Sequence, residues 1–198
     1  MKILTILLAL FCFTIYGQEP EVNTEEIPYT LSKPEKWGTE RIPFPIGFAP
    51  QIAYTGVEDI RFTPGWGKVK SEEYWSYAFL WYLDGKLKMS PAVLDSNMKL
   101  YYGGLIAANG SKIPAEKLIP VKASFKKVRK TKGDVEAYSG TIHMLDYMQQ
   151  KPITLNCKVH LKYCGSKTLA FFELSPQSGS HGIWTSLHKL WLDLECKK

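Results

Sequence analysis

Between residues 74 and 83 almost every position is apolar, and the residues sort by parity. Trp75, Tyr77, Phe79, Trp81 and Leu83 fall on one face of an extended chain, Ala78, Leu80 and Tyr82 on the other. An apolar residue on both faces predicts a central strand covered above and below. Before it, Val57 to Phe62 alternates as a shorter strand, and Pro64-Gly65-Trp66-Gly67 supplies a turn. After it, Asp84-Gly85 closes the strand and Ser90-Pro91 offers a helix cap with proline in the first turn. Leu94, Met98, Tyr101, Tyr102 and Leu105 then recur at helical spacing, and Gly103-Gly104 is the expected end of that helix.

The second half reads as an antiparallel meander, with strands expected near residues 120–129, 136–145, 152–163 and 168–174. A two-residue turn at Gly165-Ser166 places Cys164 opposite Lys167. In that register Leu161, Val159 and Cys157 oppose Ala170, Phe172 and Leu174, all apolar, while the reverse face pairs Lys158 with Glu173 and His160 with Phe171. Ile183, Trp184, Leu187, Leu190, Trp191 and Leu194 repeat at the helical period, predicting a final helix from about Ser180 to Leu194. The expected fold class is α+β: a single domain with a largely antiparallel sheet of about six strands packed against two helices.

The chain of 198 residues divides into three parts. Met1-Lys2 followed by the apolar stretch from Ile3 to Tyr16 reads as a signal peptide over residues 1–17, too short for a membrane anchor and cut before Gln18. Residues 18–50 hold half of the chain's 12 prolines and an acidic cluster, a Pro-rich leader whose later part, with Trp37, Ile42, Phe44 and Phe48, can lie across the domain. Residues 51–198 form the domain. The expected location is periplasmic or extracellular, with no transmembrane segment in the mature protein.

Export changes the reading of the cysteines, because an oxidising compartment favours a disulfide. The final helix travels back along the meander by roughly 21 Å at 1.5 Å per residue, bringing Cys196 beside Cys164, so those two are expected to pair and Cys157 to stay a buried thiol. A zinc set from His143, Cys157, His160 and Cys164 is disfavoured: Cys157 and His160 point to opposite faces, and the histidines are expected on a solvent face. No metal and no cofactor are expected.

The formal net charge of +6 falls by one when Lys2 leaves with the signal peptide, and lysine outnumbers arginine; nucleic acid is not an expected partner. The run Lys122, Lys126, Lys127, Arg129, Lys130 and Lys132 suits anionic lipid, an acidic polysaccharide or an envelope protein, although lysines on an edge strand also simply prevent aggregation. The aromatic stripe of residues 75–81 suits a core strand, leaving Trp66 in its glycine-flanked turn as the exposed aromatic. The loop from Ser175 to His181 leads to a helix N-terminus where Ser178 and His181 can meet an anion, or where Ser180 simply caps the helix. Glu58-Asp59 with Arg61, and Glu40-Arg41, are the candidate carboxylate pairs for acid/base chemistry. Asn109-Gly110-Ser111 matches a glycosylation acceptor, which a bacterial-type signal makes accidental.

The sequence lacks G-x-S-x-G, H-E-x-x-H, a phosphate-binding glycine loop and C-x-x-C, which counts against the enzyme families those patterns mark. The segments Gly56 to Trp66, Tyr74-Trp75-Ser76-Tyr77, and Leu174-Ser175-Pro176-Gln177 followed by Trp184 resemble exported bacterial proteins of unknown function. That resemblance implies export and a single domain, and carries over no activity. The expected function is a non-enzymatic exported binding protein whose ligand surface includes Trp66, Lys126, Arg129, Ser178 and His181. A hydrolase-like enzyme with a carboxylate or histidine site, and a structural envelope protein without a small ligand, are the alternatives.

Overall fold

A computed structural model describes residues 27–197; the expected signal peptide and the start of the leader lie outside the described residues. In chain order the strands are β1 (Tyr29–Thr30), β2 (Gly38–Pro43), β3 (Gly56–Phe62) and β4 (Tyr77–Leu83). Helix α1 (Pro91–Asn109) follows, then a 3-10 turn, β5 (Lys122–Lys127), β6 (Glu136–Asp146), β7 (Lys151–Cys164), β8 (Lys167–Ser175), helix α2 (Ile183–Leu192) and β9 (Glu195–Cys196). Among the described residues, seven strands form one wholly antiparallel sheet in the order β2-β3-β4-β8-β7-β6-β5, and β1 pairs with β9 as a separate ribbon. The fold is single-domain α+β, with somewhat more strands than the pattern alone indicates.

The sheet has an apolar layer on each face. On one, α1 lays Leu94, Met98, Tyr101, Tyr102 and Ile106 against a core that includes Phe79, Trp81, Val159 and Phe172. On the other, α2 lays Ile183, Trp184, Leu187, Leu190 and Trp191 over Ala78, Leu80, Leu169 and Phe171. Burying β4 and β8 from both sides removes their apolar surface from water on two faces at once, the dominant favourable term in the fold. The parity expected for residues 75–83 holds, as does every pair of the β7–β8 register from Cys164↔Lys167 to Cys157↔Leu174. Gly165 at that turn has φ of 59°, a conformation open to glycine without strain.

Four local features differ from the pattern-based expectation. Residues 38–43, inside the stretch read as a leader, are the edge strand of the main sheet, paired to β3 from Gly38↔Phe62 to Pro43↔Val57. Helix α1 starts where expected, with the Ser90 hydroxyl accepting from Val93 N–H at 3.3 Å, but it runs through Gly103-Gly104 to Asn109. Gly104 serves close packing: a Cβ there would lie 1.8 Å from the Phe48 carbonyl oxygen, so only glycine lets α1 approach the segment that follows β2. Helix α2 begins at Ile183, not near Ser180, and its first N–H is met by His181 Nδ1 at 3.1 Å. His160 is buried under α2, because that helix covers the face that the hairpin pattern leaves to water.

Cys164 and Cys196 form the expected disulfide, closing a sequence separation of 32 residues. Loop-entropy arguments give such a ring about 3–4 kcal/mol of stabilisation. Cys157 is a buried free thiol, and burial pushes its pKa well above the ordinary value, so it is chemically quiet. Among the described residues, no helix is long and apolar enough to cross a membrane.

Candidate functional site

On the α1 face, near the β2 edge, the packing leaves a cavity of about 310 Å³. Its wall is mostly aromatic: Phe48, Phe62, Trp66, Trp75, Tyr77, Tyr101 and Tyr147, with Glu40 and Asn109 as its polar members and, among the described residues, no lysine or arginine. Strand β3 sends Ile60 and Phe62 to this face, β4 sends Tyr77, and α1 contributes Tyr101 and Leu105 from successive turns. Because α1 sits close over Gly104, Phe48 is carried into the wall.

Trp66 is not the free surface aromatic its turn suggests. It is half-buried, with ring centroids 4.7 Å from Phe62, 5.7 Å from Trp75 and 6.2 Å from Tyr77. Turning inward buries its ring but strands its polar handle: the indole N–H groups of Trp66 and Trp75 are both buried and have no hydrogen-bond partner among the described residues. Trp75 also has φ of 53°, a left-handed conformation costly for a bulky side chain. Strain and unmet donors coincide on one residue of the wall, the pattern expected where a site is preorganised for something else.

Behind this wall lies Glu58, on β3 opposite Ile42. It is fully buried; Trp81 Nε1 donates to one oxygen at 3.1 Å and the other has no partner among the described residues. Burial pushes its pKa up to about 8, against the smaller lowering effect of the hydrogen bond from Trp81, so it carries a proton at neutral pH. The expected Glu58-Asp59 pair does not form, since neighbours on a strand point to opposite faces. Asp59 instead pairs with Arg61 and accepts from the Tyr29 hydroxyl at 3.1 Å, while Arg61 ties down the carbonyls of Leu31 and Ser32.

No family model, curated protein or solved structure matches this chain.

The opposite face carries a different chemistry. Beside α2, three adjoining hollows share Lys158, and they gather most of the polar residues singled out in the sequence. Lys126 lines the first with Ser139 and Asn156, His181 the second with Trp184, and Arg129 the third with His160 and His188. Ser178 is not in their lining; its hydroxyl meets that of Ser180 at 3.1 Å and its carbonyl accepts from Trp184 Nε1 at 2.8 Å. His181 faces Glu72 at 3.7 Å. The five expected ligand residues therefore do not converge: Trp66 belongs to the α1 face and the others to the α2 face.

Below this groove stands a chain of ionisable groups. Asp134 Oδ1 lies 3.0 Å from His160 Nδ1, His160 Nε2 lies 3.2 Å from Glu173 Oε1, and the same oxygen lies 2.7 Å from His188 Nδ1. Burial raises the Glu173 pKa, but the His160 and His188 imidazoles facing it outweigh that, so its carboxyl sits below the usual value. The hydrogen bond to Glu173 raises His188 in turn. Sequence reasoning missed this grouping because it joins a loop, two strands and a helix. One signal was available: His188, four residues after Trp184 and three before Trp191, must share the sheet-facing side of α2.

Proposed function

We propose that the protein is an exported, non-enzymatic binding protein that seats one ring of a neutral saccharide in the aromatic cavity on the α1 face. The observation that carries this reading is the pair of buried, unpartnered indole N–H groups of Trp66 and Trp75 in a wall of aromatic rings. Aromatic faces stack on the apolar face of a sugar ring, while hydroxyl oxygens accept from indole N–H groups that otherwise cost about 1–3 kcal/mol each in lost solvation. Glu40 and Asn109 supply further acceptors and donors, and the absence of lysine or arginine from the wall disfavours an anionic ligand here. A volume of about 310 Å³ is at the small end of ligand pockets, matching one ring of a longer glycan. The Cys164–Cys196 disulfide supports an oxidising, exported setting.

Tryptophan fluorescence of the purified protein, titrated with neutral and uronate-containing saccharides, tests the proposal. A saturable change with a neutral sugar, lost in Trp66→Ala, is expected. A flat response to every neutral sugar, or tighter binding of the acidic ones at this cavity, overturns it.

A further inference from the structure

We infer that His160, Glu173 and His188 form a binding site for a divalent transition-metal ion of the zinc type, with Asp134 orienting His160. The three side chains come from β7, β8 and α2, and one ligand atom of each lies within 4.8 Å of the others. Two imidazoles and a carboxylate are a complete protein donor set for such an ion with one position left open. Bonds of about 2.0–2.1 Å in a tetrahedron hold neighbouring donors roughly 3.3 Å apart. The His160 to Glu173 separation of 3.2 Å already meets that, and the His188 to Glu173 separation of 2.7 Å needs only a small opening on the helix side.

The polar accounting points the same way. Asp134 Oδ1 lies 3.0 Å from His160 Nδ1, a contact that holds the ring with Nε2 directed toward Glu173. His160 Nε2 has no aligned hydrogen-bond partner among the described residues despite its burial. Glu173 Oε2 is likewise buried and without a hydrogen bond, and the side chains of His160 and Glu173 are only 5% and 0% exposed. A cation held between His160 Nε2 and Glu173 Oε1 gives the ring nitrogen the partner it lacks. The carboxylate behind a ligating histidine is the arrangement that fixes the ring and raises its basicity in metal sites. Asp134 is itself held by Thr131, whose hydroxyl donates at 2.8 Å.

The open position faces the hollow of about 300 Å³ lined by both histidines together with Arg129, Ser139 and Lys158. Lys158 Nζ lies 3.9 Å from Glu173 Oε2 and 4.5 Å from the Trp184 ring centroid, and its side chain is 40% exposed. It is therefore free to move into the groove when a dication takes its place. The competing explanation is a buried ion-pair network with protonated imidazoles, which makes no stoichiometric demand for metal.

Calorimetric titration of the untagged, chelator-treated protein with Zn²⁺ alone decides between them, with Co²⁺ absorption reporting the geometry. One ion per chain, a melting temperature raised by the ion, and a four-coordinate Co²⁺ spectrum are expected. His188→Ala, at a half-buried helix position that tolerates truncation, abolishes the site; Glu173→Gln does the same; Asp134→Asn weakens affinity about 10–100-fold. His143→Ala, on β6 and bonded to Thr154 at 2.9 Å, leaves binding unchanged. Absence of stoichiometric uptake by the folded wild type, or uptake surviving in His188→Ala, overturns the inference.

Discussion

Glu58 and Glu173 are the same residue type, equally deep in the same sheet, and they end in opposite charge states. Glu58 faces α1, where its neighbours are an indole, phenols and hydrocarbon; without a compensating cation, burial wins and the carboxyl holds its proton up to about pH 8. Glu173 faces α2, where two imidazoles meet one of its oxygens and a lysine approaches the other, so it stays ionised. Depth alone therefore says little about charge inside this molecule; the partners supplied by the covering helix decide it.

The largest expected effect tests the neutral member. The unfolded carboxyl titrates near 4.5 and the folded one near 8, so the folded state binds the proton more tightly. Stability is then full below pH 4.5 and drains as pH rises toward 8, by on the order of 5 kcal/mol at about 1.4 kcal/mol per unit. Chemical denaturation at pH 5 and pH 8.5 should show that loss in the wild type and little of it in Glu58→Gln. An unchanged slope in the variant would break the comparison.

The ionised member should respond with opposite sign. Its contribution is present above its unfolded value and is lost as acid titrates the lowered folded carboxyl; the part due to His188 is present below 6.5 and lost as pH climbs through its raised value. Glu173→Ala leaves His160 and His188 without the carboxylate that both rings face, and a cost of about 3–5 kcal/mol is expected in urea melts at pH 7. A loss under 1 kcal/mol would mean that the imidazoles are already neutral and content without it.

The smallest effect concerns two adjacent glycines on α1. At Gly103 an added Cβ meets nothing within 4 Å, so Gly103→Ala should stabilise by about 0.5–1 kcal/mol through helix propensity. At Gly104 the same methyl collides with the Phe48 carbonyl, and Gly104→Ala should cost about 1–3 kcal/mol while shifting Phe48 out of the cavity wall. Thermal melts of the pair, read beside saccharide titration, sharpen how far the aromatic side depends on close helix contact.

Some of this was legible in advance. The β7–β8 hairpin was, since alternation at period two and a turn glycine agree on one register, and the register then dictates where Cys196 must land. The edge strand β2 was not: Gly38-Thr39-Glu40-Arg41 is largely solvent-exposed, so it lacks the alternation that marks a half-buried strand. The continuation of α1 through Gly103-Gly104 was hidden for a related reason, as helix-breaking propensity is local while the demand for a close backbone approach at Phe48 is tertiary. Of the two sites, Trp66 was picked out but assigned to water. The histidine pair on the other face was only half legible: the hairpin register puts His160 and Glu173 on one face, but Asp134 and His188 join them only when their loop and α2 pack over the strand pair.

The ribbon of β1 and β9 pairs Tyr29 with Cys196, and Lys197 N–H donates to the Pro28 carbonyl at 3.0 Å. Pro28 and Lys197 thus lie side by side. In a variant truncated before Pro28, a short peptide joining that residue to Lys197 would close the backbone into a ring, and a new opening at the Gly165-Ser166 turn would yield a circular permutant retaining both helices and both buried glutamates.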